Sequence, residues 1–71
     1  MRVYFHLKSA HEVILDPKGV EVSDPQEARV QAVLVIEELR LTDAQYWSGW
    51  TLAATDAAGR VLFTVDLTST V

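Results

Sequence analysis

Asp24-Pro25-Gln26-Glu27-Ala28-Arg29-Val30-Gln31-Ala32-Val33-Leu34-Val35-Ile36-Glu37-Glu38-Leu39-Arg40-Leu41 is the stretch on which the fold turns. Its middle, Val33 to Ile36, is β-prone and reads either as a buried strand or as part of a helix. Three features decide for the helix. Asp24 is a side chain that caps a first turn, Pro25 suits the first helical position, and Glu27 stands where a capping-box carboxylate reaches back. The alanines at 28 and 32 and the length of the periodic run point the same way. Glu21, Asp24 and Glu27 put negative charge at the positive end of the dipole, and Arg40 lies near the other end. The spacing predicts a helix from about 25 to 41.

At about 100° per residue, Ala28, Ala32, Val35, Ile36 and Leu39 share one side of this helix. The two alanines allow close approach to a sheet. Nearly opposite lie Val30, Leu34 and Leu41, with Val33 at the edge. A helix resting on one layer needs a single apolar stripe, so the second stripe calls for a cover. The segment 42–49, with Tyr46 and Trp47 folding back, is one candidate. A second copy of the chain or another protein is the other. Left open, the stripe is an association surface, and Val30, Leu34, Leu41 and Trp47 are its expected contact residues.

Outside the helix the period is two. Val3, Phe5 and Leu7 alternate with Tyr4, His6 and Lys8. A β-rich run, Glu12 to Leu15, leads into the turn Asp16-Pro17-Lys18-Gly19, and Val20 to Val22 reads as a short third strand or extended chain. After the helix, 42–49 connects to the alternating run from Trp50 to Thr55. Asp56-Ala57-Ala58-Gly59 reads as a hairpin, with Gly59 left-handed after a type I turn, and Val61 to Leu67 completes it. The expected fold is α+β. It is a two-layer sandwich with an antiparallel sheet of four or five strands and one helix on one face, in the order β-β-(β)-α-β-β. Residues 1–71 form a single domain, with 68–71 expected to fray. Val3, Phe5, Leu7, Trp50, Leu52, Val61, Phe63 and Val65 are expected on the buried side of the sheet. Tyr4, His6, Thr51, Thr55, Thr64 and Asp66 are expected on the open side.

Composition narrows the function classes. The 71 residues carry 10 acidic and 6 basic side chains, a net charge of -4. Scattered basic residues and an acidic balance disfavour nucleic-acid binding, which needs clustered Lys and Arg. Without cysteine, neither a disulfide framework nor a thiolate metal site is possible. No apolar run approaches the roughly 18 residues of a membrane span. Met1-Arg2 runs straight into alternating residues with no signal-peptide pattern, and the expected location is the cytoplasm.

Chemistry has few candidates. The three glycines are isolated and form no phosphate loop. Tyr4, His6 and Asp66 would share the open face and form a small-ligand or metal-binding group if strands one and five were neighbours. A flat sheet face lacks the concavity and oxyanion donors that nucleophilic catalysis needs. The residues therefore point to a non-enzymatic interaction module that needs no cofactor, forming a homodimer or binding another protein.

Several stretches carry a resemblance. Arg2-Val3-Tyr4-Phe5-His6-Leu7 is similar to the Arg-Tyr-Phe-Phe-His-Leu opening of a group of short bacterial proteins classed as a domain of unknown function. Asp16 to Glu21, the helix start at Asp24, Glu27 and Ala28, Gly49-Trp50, and Asp56 with Gly59-Arg60-Val61-Leu62 also look alike. The resemblance implies a stand-alone small domain and no catalytic activity. A weaker likeness, through Gly19-Val20, Asp24 and Glu27-Ala28, runs to small acidic antitoxin domains that neutralise a partner protein.

Overall fold

A computed structural model describes residues 1–43 and 45–67, so the expected fraying of 68–71 lies outside the described residues. The strands are β1 (Arg2–Lys8), β2 (Val13–Ile14), β3 (Val20–Glu21), β4 (Thr51–Thr55) and β5 (Val61–Asp66), and the helix α1 spans Pro25–Asp43 between β3 and β4. All pairings are antiparallel, in the order β2-β1-β4-β5, with β3 also on β1. The expected α+β class and element order are what the chain forms.

The start of α1 is built by the residues that foretold it. Asp24 Oδ1 accepts the Glu27 N–H at 2.8 Å, and Glu27 Oε1 accepts the Ser23 N–H at 2.6 Å. The carboxylate thus reaches one residue further back than in a standard capping box. The helix runs two residues beyond the predicted end.

Its inner face meets the sheet through Ala28, Ala32 and Ile36, all buried, against Val3, Leu52 and Ala54. Phe5 stands opposite Ala54 and Leu7 opposite Leu52, and Ala54 and Leu52 in turn face Phe63 and Val65. One row of side chains therefore runs across three strands beneath the helix. Trp50, just before β4, is buried as expected, and Val22 and Leu67 close the core at its margins.

One expectation about faces fails. Val61 was expected inward, yet it is 56% exposed. The register steps from Ala54–Phe63 to Thr55–Val61, which leaves Leu62 as an extra residue in β5. Such a bulge shifts the alternation by one and turns Val61 onto the open face. Thr55 keeps its expected open side, opposite Tyr4, but is buried there and bonded to His6.

The two edges of the sheet are finished differently. Leu67 N–H donates to Trp50 O at 2.9 Å. Counting back in twos along the antiparallel ladders, Phe63 and Val65 turn their N–H and C=O toward β4, and Thr51, Ala53 and Thr55 turn theirs toward β1. On β1 the groups of Val3, Phe5 and Leu7 then face the outer side, where β3 pairs at Val3 and β2 at Leu7. Phe5 falls in the gap between these short strands. Its N–H is taken by Asp16 Oδ2 at 3.2 Å, so a side chain stands in for the missing ladder partner.

Candidate functional site

The outer face of α1 is open. Val30 is 55% exposed, Leu34 57% and Leu41 87%, and Val33 beside them is 56% exposed. Trp47, expected among them, is elsewhere. Its ring meets Trp50 edge-on at 5.0 Å and Tyr46 at 4.9 Å, and it packs half-buried against the end of the core. Aromatic rings prefer such tilted contacts. The 45–50 segment therefore stacks on Trp50 and leaves the outer stripe of the helix uncovered.

Val33 also borders a second feature. Between α1 and β5 lies a groove of about 190 Å³ lined by Arg29, Ala32, Val33, Ile36, Glu37, Arg40, Phe63 and Val65. The Arg29 guanidinium sits 4.7 Å above the centre of the Phe63 ring, a cation–π contact. Among the described residues the ion pairs join Glu21 to Met1 and Arg2, and Asp56 to Arg60, so Glu37 and Arg40 stand at the groove without an ionic partner. The groove is smaller than the roughly 300–1,000 Å³ of ordinary small-molecule pockets.

The open sheet face does not assemble the group expected there. β4 lies between β1 and β5, so His6 faces Ala53 and then Thr64, while Asp66 faces Thr51 one pair further along. Tyr4 does lie beside His6, with ring planes 5° apart and centroids 6.3 Å apart. Both imidazole nitrogens are already engaged. The Asp16 N–H donates to Nδ1 at 3.0 Å, and Nε2 lies 3.1 Å from Thr55 Oγ1. Nδ1 is then the acceptor, which leaves Nε2–H as donor to the hydroxyl. Among the described residues no three His, Asp or Glu side chains converge as metal ligands.

Around this histidine the Asp16 turn closes. Oδ1 of Asp16 accepts the N–H groups of Lys18 at 3.1 Å and Gly19 at 3.0 Å. Desolvation pushes the Asp16 carboxyl up, but the N–H donors of Gly19, Phe5 and Lys18, with His6 beside them, outweigh it and hold its pKa below the ordinary value. Gly19 has φ +71°, and a Cβ there would stand 2.8 Å from Tyr4 Cε2, so both backbone and space demand glycine. The sequence marked this turn without revealing that its carboxylate completes β1. Nothing in local spacing says that Asp16 meets Phe5 across the sheet edge.

A family match covers the elements that build the single helix, the patched outer edge at β1 and the turn locked by Asp16. The family described as "Domain of unknown function (DUF6894)" matches residues 2–68. The chain belongs to this family. No match was found among curated proteins or among solved structures. The DUF6894 match takes in every strand and the helix, so the cap at Asp24, the Asp16 turn and the Asp56 hairpin all lie within the family's span.

Proposed function

We propose that this DUF6894 domain is a non-enzymatic interaction module that self-associates through the outer face of α1. The observation that carries the reading is the exposure of Val30, Val33, Leu34 and Leu41 along one side of a helix whose other side is already buried. Scattered surface aliphatics are ordinary, but a contiguous stripe on a helix marks an association face. The occupant is a second copy. A two-fold contact presents the same apolar stripe from both sides, with Glu37, four residues from both Val33 and Leu41, as the one charge set within it. The reading of Tyr4, His6 and Asp66 as a ligand group has less behind it, because His6 is bonded at both nitrogens and Asp66 lies apart.

Light scattering across a dilution series tests the proposal. The wild-type chain is expected to gain mass with concentration, and Leu34→Asp to stay folded by circular dichroism while shifting toward monomer. A wild-type chain that remains monomeric at millimolar concentration overturns the reading. Unfolding of the Leu34→Asp monomer would mark the stripe as ordinary core.

A further inference from the structure

We infer that the groove between α1 and β5 binds a free apolar α-amino acid of leucine or phenylalanine size, with its side chain on the groove floor, its carboxylate at Arg40 and its ammonium at Glu37. The inference goes beyond self-association and does not rest on it.

The first ground is what the floor can hold. Ala32 and Ile36 on the helix and Phe63 and Val65 on the strand line a space of about 190 Å³. An apolar cavity of roughly 150 Å³ admits benzene. The groove therefore has room for one branched aliphatic or benzyl side chain and for little more. A ligand that fills it must carry its polar end at the rim.

The second ground is the charge at that rim. Arg29 is committed to the Phe63 ring, 4.7 Å from its centre. Among the described residues Glu37 and Arg40 have no ionic partner, and no ion pair joins them to each other. They stand three residues apart on α1, which sets their Cβ atoms about 5–6 Å apart on one side of the helix. Helical side chains lean toward the N-terminus, so Arg40 extends back over the turn that holds Ile36 and Glu37. One cation and one anion thus stand side by side next to an apolar floor. A plain carboxylate would meet Arg40 but bring a like charge beside Glu37. A plain amine would meet Glu37 but bring a like charge beside Arg40. An α-amino acid carries both charges on one carbon and satisfies both groups. The guanidinium offers its planar fork to the carboxylate, and the Glu37 carboxylate accepts from the ammonium.

Titration of the full chain with L-leucine at low salt, followed by amide NMR spectra, provides the test. The amides of Val33, Ile36 and Val65 are expected to shift and saturate with a dissociation constant on the order of 1 mM, ordinary for so small a ligand. Isocaproate keeps the leucine side chain and carboxylate without the ammonium, and isoamylamine keeps the ammonium without the carboxylate. Each is expected to bind about fivefold more weakly, the upper worth of one exposed charge pair. Glu37 and Arg40 are both exposed, so their substitution leaves the core intact. Glu37→Gln should weaken leucine about fivefold and leave isocaproate no weaker. Arg40→Gln should weaken leucine equally and leave isoamylamine no weaker. Glycine, which has both charges and no side chain, should leave the groove amides unshifted. Isocaproate binding as tightly as leucine would make this a plain carboxylate site and overturns the inference. So does a glycine response equal to that of leucine, or the absence of shifts at Val33, Ile36 and Val65 up to about 50 mM leucine. These shifts are read independently of the dilution series, so either reading can fail alone.

Discussion

At the scale of single residues, Asp16 does the most for its size. Its carboxylate accepts the N–H groups of Phe5, Lys18 and Gly19, and its own N–H fixes the tautomer of His6. Asp16→Asn keeps the shape but puts an amide NH₂ where one oxygen met a donor. A loss of about 2 kcal/mol is expected, in the range for hydrogen bonds to a charged group, measured by urea denaturation at neutral pH. The acid limb carries a signature. The folded carboxyl titrates below its ordinary value of 3.8, so the unfolded chain binds the proton first as pH falls. Its contribution is complete above that value and vanishes as pH drops through the folded one. Asp56 is also lowered, chiefly by the N–H of Arg60, and destabilises in the same direction on acidification. The difference between wild type and Asp16→Asn isolates the Asp16 part and should shrink toward low pH. Asp16, Pro17 and Gly19 announced a turn by their types alone. The bond to Phe5 was hidden, because it joins residues 11 apart across a gap that exists only once β2 and β3 have paired.

At the scale of elements, local chemistry read well wherever an element is self-contained. The helix announces its start by Asp24, Pro25 and Glu27, and the hairpin by Asp56 and Gly59. Gly59 has φ +85°, and Asp56 Oδ1 takes the N–H groups of Ala58 and Arg60 at 2.9 Å. Asp24→Ala should cost about 1 kcal/mol, the usual worth of an N-cap, with the loss visible as a lower urea midpoint at unchanged slope. The misread face belongs to β5, and in β4 it was the burial of Thr55 that parity did not show. Period-two reading carried Val61 in phase with Phe63 and Val65, and no residue type around Leu62 betrays the bulge that breaks the phase. Thr55 looked solvent-facing by parity, and the imidazole that covers it arrives from β1. Trp47 was ambiguous between lid and anchor, and its edge-on contact with Trp50 sets it half-buried against the core.

For the whole molecule, the core is thin. Leu52 and Val3 are its largest fully buried side chains, and three of its other members are alanines against which helix and sheet close up. Leu52→Ala removes the centre of the row that links β1, β4 and β5 beneath α1, and a loss of about 3 kcal/mol is expected from transfer plus cavity. In so small a domain that is a large share of total stability, so the variant should show a clearly lowered melting temperature. What the chain's own order of residues determined is the set of elements, the capped helix with its inner alanine face, and the presence of a second apolar stripe. These follow from periodicity and caps, which act within a few residues. Tertiary structure alone decided that β4 separates β1 from β5, which parts His6 from Asp66, that Asp16 repairs one sheet edge, and that β5 and the flank of α1 form a groove. Those depend on which strands become neighbours, a choice made by burial summed over the whole chain and invisible in any one segment.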